Sequence, residues 1–289
     1  MFWQQLVNWI NLGAMYALLA IGYTMVYGII KLINFAHGEI FMCGAFFTWW
    51  LMTSLSIPFM PSALVGVSLA VLVGVGIERV AYRPLRNAPR FAVVISVLGM
   101  SIFLRNMARI LWGAEFQVFD VDFGGAPIHL GSVVIPFKKV FILLISLFLM
   151  IALGVFVKRT SLGKAMRATA ADSEAAEMMG ISANALIILT FVIGSALAAV
   201  AGILYAVNYN SIDPYMGFSA GMKAFAAAVL GGIGNIYGAM LGGLFLGIFE
   251  GIGAGYISSM YRDAFAFGVL IMALIFRPQG LLGEGGAGE

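Results

Sequence analysis

Residues 5–30 read QLVNWINLGAMYALLAIGYTMVYGII, an unbroken run without Asp, Glu, Lys or Arg. A helix rises about 1.5 Å per residue, so roughly 20 apolar residues cross the hydrocarbon core of a bilayer. Within lipid no water is available to satisfy the peptide groups, and only a helix satisfies them within one segment. The run is long enough, and it reads as a transmembrane helix. No charged n-region precedes it and no small-residue cleavage site follows closely. It is therefore expected to be a retained first span rather than a signal peptide.

The rest of the chain repeats the pattern. Apolar segments lie near 5–30, 36–56, 60–80, 91–112, 138–157, 184–208, 222–254 and 262–277. The composition agrees: 62% of residues are hydrophobic and only 10% are charged, against about 25% charged in a soluble domain. Such a chain cannot cover itself with ionised groups. The expected fold is all-α, a polytopic membrane bundle of about eight spans forming a single domain over residues 1–289. The segment 222–254 is too long and too glycine-rich for one plain helix. Leu230-Gly231-Gly232-Ile233-Gly234-Asn235 divides it into two pieces or a re-entrant element, so the count runs from eight to ten. Small residues at four-residue spacing, Gly238 with Gly242, Ala239 with Gly243, Ala198 with Gly202 and Gly247 with Gly251, let helix backbones approach closely. They say nothing about what is carried.

The charged connections bear on orientation. Residues 78–90 hold Arg79, Arg83, Arg86 and Arg90, and residues 158–167 hold Lys158, Arg159, Lys164 and Arg167. Two spans separate these clusters, so they share a side, and the positive-inside tendency makes it the cytoplasm. Residues 105–139, with Arg105, Arg109, Lys138 and Lys139 offset by Glu115, Asp120 and Asp122, blur that count. Residues 113–137 read as an external loop with a short hairpin. The net charge of +3 is spread over loops and orients the chain; it is no nucleic-acid site.

The polar connection 158–184 reads KRTSLGKAMRATAADSEAAEMMGISAN. Asp172 or Ser173 can cap a helix start. Glu174 and Glu177 suit the positive end of the helix dipole. Gly180 can stop the helix in a left-handed conformation. The sequence thus predicts a short capped helix near 173–179, with small and flexible apolar side chains facing outward. By itself it is either a knob for a partner protein or a helix lying on the membrane surface.

Glu174-Ala175-Ala176 followed by Gly180 resembles the EAA loop of ABC importer permeases. The preceding Ser161-Leu162-Gly163-Lys164-Ala165-Met166-Arg167-Ala168 is similar to its form in branched-chain amino acid and sugar permeases. The stretch Asn11–Gly28, with Ile33-Asn34-Phe35-Ala36-His37-Gly38-Glu39, resembles the amino-terminal signature of LivH-type permeases. Lys223-Ala224-Phe225 through Val229-Leu230-Gly231-Gly232-Ile233-Gly234-Asn235-Ile236-Tyr237-Gly238-Ala239 resembles their carboxy-terminal signature. Asn235-Ile236-Tyr237 departs mildly from it, since many relatives carry serine or proline there. The resemblance implies a type II-like ABC importer permease in a bacterial inner membrane. It implies branched-chain amino acids as substrate, with urea or short-chain amides as the alternative. Its partners would be two ABC ATPase subunits, a homologous second permease of LivM type and a periplasmic or extracellular substrate-binding protein. The resemblance gives Glu174, Ala175, Ala176 and Gly180 the coupling role, docking into an ATPase from the cytoplasmic side.

Other polar residues stand out against the apolar background. Asn34, His37 and Glu39 lie between the first two spans. Intramembrane polar groups default to function, yet these also suit hydrogen bonding of the backbone at a span break. Lys223 and Glu250 fall in or beside the divided segment. Either can line a pathway; the plainer reading has Lys223 snorkelling to an interface and Glu250 marking a span end. Asp213-Pro214-Tyr215 reads as an external turn. The two histidines, His37 and His129, make no metal site. No phosphate-binding Gly-x-x-x-x-Gly-Lys-Ser/Thr loop and no nucleophile constellation occurs. The chain is therefore expected to be non-catalytic and without a cofactor. An ion-coupled secondary transporter is the main rival, disfavoured by few expected intramembrane charges.

Overall fold

A helix that is apolar on every side has to be surrounded, and the first span is. In the computed structural model, which describes residues 2–86, 88–130, 133–277 and 279–283, α1 (Phe2–Ile30) is buried almost continuously from Asn11 to Val26. It forms the axis of the bundle, packed by α8 (Ala183–Tyr209), α9 (Met216–Gly231) and α10 (Ile236–Ile252). α10 runs antiparallel to α1 at backbone contact. Gly243 lies on Ala17, and Gly247 lies on Gly13. Part of the four-residue stripe of the sequence is thus the seam between these two helices.

α2 (His37–Ser54) and α3 (Phe59–Ile77) flank this axis. α3 continues through a π-helical turn, Glu78–Tyr82, and a 3₁₀ turn, Arg83–Leu85. α4 (Arg90–Trp112), α5 (Phe137–Arg159) and α11 (Arg262–Phe276) are the exposed periphery. The loop before α5 carries the expected hairpin, β2 (Ile128–Leu130) with β3 (Val133–Ile135). A second ribbon pairs β1 (Gln117–Val118) with β4 (Ser211–Ile212).

Seven helices among the described residues are long and apolar enough to cross a membrane. The expectation of about eight resolves differently at two places. α2 matches a predicted segment, but His37 and Glu39 at its start make it more polar than the seven. The segment 222–254 is divided, as its glycines suggested, and α9 is only 16 residues long. Gly231 packs on Gly238 and Gly242 on Ala227, so α9 and α10 form a tight antiparallel hairpin. The chain end satisfies the broken backbone: Leu281 N–H donates to Leu230 O at 2.8 Å, Leu282 N–H to Gly231 O at 3.0 Å, and Asn235 Nδ2 to Leu282 O at 2.8 Å. Irregular backbone at membrane depth persists only where protein or water satisfies it.

Arg86 donates to Asn184, which places the connection 78–90 at the same end of the bundle as α6 (Ser161–Ala171) and α7 (Ser173–Met178). That is the parity inferred from the charges. One count needs correction: Arg105 and Arg109 are not loop charges. They lie within α4, so the ambiguity they introduced into the loop tally disappears.

Candidate functional site

The connection 158–184 folds as two helices rather than one. Thr160 caps α6 by accepting from Gly163 N–H at 3.0 Å. Asp172 caps α7 by accepting from Ala175 N–H at 3.0 Å. At the far end Ile181 N–H donates to Ala176 O at 3.0 Å and Gly180 N–H to Glu177 O at 2.9 Å. This is a Schellman closure, and it requires the φ of +82° that Gly180 adopts. An L side chain strains that conformation. Six residues are too few to form a stable helix alone; the caps at both ends hold α7.

Glu174 and Ala175 are exposed, and Met178 and Met179 are 88% and 83% exposed. Ala176 differs from the outward-facing expectation. It is buried, because at this helical spacing one face must pack back on the protein. The projecting surface is therefore Glu174, Ala175, Glu177 and the two methionines. The sequence reading missed α6, whose polar residues concealed a one-sided apolar face around Met166.

The intramembrane candidates separate into structural and paired groups. Asn34 serves the break between α1 and α2. Its Oδ1 accepts from Ala36 N–H at 3.1 Å, while Tyr82 Oη donates to Ile33 O at 3.1 Å. His37 is buried, its ring edge-on to Tyr23 with centroids 4.7 Å apart, and Gly22 leaves it room. Glu39 is not a loop residue. From α2 it accepts from Ser101 Oγ at 2.9 Å and Arg105 Nη2 at 3.1 Å, both on α4. The Arg105 guanidinium stacks over Phe218 at 4.5 Å.

Lys223 does not snorkel, and Glu250 is no exposed span end. The two are buried and paired. Lys223 Nζ donates to Glu250 Oε1 at 2.9 Å and lies 2.7 Å from Asp263 Oδ1. Tyr16 Oη donates to the same Glu250 oxygen at 3.2 Å, and Arg262 Nε lies 2.5 Å from it. Arg262 Nη2 also donates to Tyr209 Oη at 2.9 Å. One cluster thus ties α1, α8, α9, α10 and α11 together. A third buried acid, Glu78, pairs with Arg86 at 2.5 Å. Sequence reasoning missed Ser101, Arg105, Tyr16, Arg262, Asp263 and the Glu78–Arg86 pair. The available signal was a lone charge inside or at the rim of an apolar run. The expectation of few intramembrane charges was thus too low, but each of these carboxylates has a basic partner.

The model of the family described as "Branched-chain amino acid transport system / permease component" matches residues 5–274. The chain is 46% identical to the high-affinity branched-chain amino acid transport system permease protein BraD of Pseudomonas aeruginosa, over 97% of this chain and 95% of that one. It is 44% identical to the corresponding permease protein LivH of Escherichia coli K12, over 98% and 96%. Among solved structures, a chain of PsaBC from Streptococcus pneumoniae in complex with a Fab superposes with a TM-score of 0.51. It covers 96% of this chain and 92% of that chain at 13% identity, a likeness of fold alone. With near-complete coverage at these identities, the chain belongs to the family of branched-chain amino acid transport permease components.

Proposed function

We propose that this chain is the membrane permease subunit of an ABC importer for leucine, isoleucine and valine in a bacterial inner membrane, with a type II-like architecture. The observation that carries the reading is the identity of 44–46% over nearly the whole length to permeases named for that transport. Two ATPase subunits drive it from the side of α6 and α7, a homologous second permease completes the pathway, and a substrate-binding protein delivers the amino acid. α7 supports the coupling role: a helix locked at both ends transmits displacement, and exposed methionines adapt to a groove.

The test is deletion of the gene, measurement of labelled leucine uptake, and complementation. Loss of leucine, isoleucine and valine uptake, restored by the wild-type chain, is the expected result. Unchanged leucine uptake with lost uptake of urea or short-chain amides would move the substrate to that class.

A further inference from the structure

At the end of the bundle that carries α6 lies a cavity of about 850 Å³, within the range that holds small ligands. α1, α5, α6 and the α9–α10 turn border it, it is open to the surface with Lys31, Lys158 and Arg167 exposed, and its charge is one-sided. Lys31, Lys158 and Arg167 line it, and no carboxylate among the described residues does. None of the three cations is in an ion pair with a described residue, although this end also holds the Glu78–Arg86 pair. Lys31 is held just past α1 at φ +56°, its N–H donating to Tyr27 O at 2.8 Å. Deeper in, Thr24 borders the same space. Thr24 is 1% exposed and its Oγ1 has no hydrogen-bond partner in the protein. A buried hydroxyl without a partner is costly. The remaining wall includes Ile29, Val157 and Tyr237.

We propose that this cavity binds a phosphate-bearing anion, with the mixed apolar and cationic walls favouring the headgroup of an anionic phospholipid. Three cations with no ion-pair partner among the described residues attract the phosphate, the Thr24 hydroxyl donates to it, and the apolar wall accepts the glycerol and first acyl carbons. The cations sit just past the end of α1, on the terminal turn of α5 and on α6, the level at which headgroups meet a spanning bundle. Basic pockets at such positions are suited to anionic headgroups. This inference requires only that the chain spans a membrane, and does not depend on the substrate assigned above.

The experiment uses the full chain, in its complex, delipidated and returned to nanodiscs of phosphatidylcholine with titrated phosphatidylglycerol. Native mass spectrometry reads the bound lipid. Two triple variants are compared with wild type. K31Q/K158Q/R167Q removes the cavity cations, and R90Q/R159Q/K164Q removes three exposed cations outside the cavity. Wild type should retain phosphatidylglycerol in preference to phosphatidylcholine, and the cavity variant should bind it roughly a hundredfold more weakly, with the control variant near wild type. Thr24→Val should weaken binding by a smaller factor. Displacement by inorganic phosphate at comparable concentration would keep the site and identify the soluble anion as the source. Equal losses in both triple variants would reduce the effect to diffuse surface attraction and overturn the proposal. So would lipid binding that appears only after truncation beyond Gly283, since the chain's own tail would then be the occupant.

Discussion

Lys223 on α9 and Glu250 on α10 meet at 2.9 Å with both side chains buried. The Glu250 oxygen that binds Lys223 is also approached by Tyr16 and Arg262. A pair so enclosed is costly to form but more costly to break, because removal of one partner leaves an uncompensated charge. Glu250→Ala should therefore destabilise the protein by about 3–5 kcal/mol, read as a lowered melting temperature in detergent and reduced membrane abundance. Lys223→Met with Glu250→Leu should cost less than either single change. Glu250→Ala with an unchanged melt would show that Lys223 and Arg262 find other partners.

The α1–α10 seam makes a steric prediction. A Cβ on Gly247 would overlap backbone atoms of Gly13, with the Trp9 carbonyl beside it. Backbone cannot rotate away as a side chain can. Gly247→Val should cost about 1–3 kcal/mol or more by overpacking, whereas Gly28→Ala, with nothing near its added methyl, should be close to neutral. Equal melting temperatures for the two variants would disprove the seam.

The coupling assignment is tested at three positions. Asp172→Ala removes the cap of α7, worth about 1 kcal/mol. Gly180→Val forces a β-branched residue to φ +82°, costing about 1–2 kcal/mol locally. Glu174→Lys reverses an exposed charge and leaves the helix itself in place. All three variants should insert normally, while Glu174→Lys and Gly180→Val should lose co-purifying ATPase or transport. Retention of both at normal abundance would reduce α7 to a connector.

Arg105 meets Glu39 and Ser101 while stacking on Phe218. Lysine keeps the charge but not the planar fork or the stacking face. Arg105→Lys should therefore lower the melting temperature despite conserving charge. Phe218→Leu should do so by a smaller step, of about 0.5–1 kcal/mol for the lost cation–π contact. If Arg105→Lys melts as wild type, the contact is a bare ion pair.

Much was legible in the sequence because the bilayer reduces local structure to a length rule. An uncharged run such as residues 5–30 has a single way to satisfy its peptide groups, so the helices follow from composition. The cap at Asp172 and the stop at Gly180 were equally legible, since both depend on residues a few positions apart. The division near residues 230–235 followed from glycine content. What the sequence could not give was which distant residues face each other. Glu39 lies 66 positions from Arg105, and Tyr16 lies 234 from Glu250. Buried charges must find partners, but the chain does not state which. Only the packing of α1 against α10 and of α4 against α2 decided that. Packing likewise turned Ala176 inward and moved Lys223 from an interface into the core, because a helix face is assigned by its neighbours rather than by its own residues.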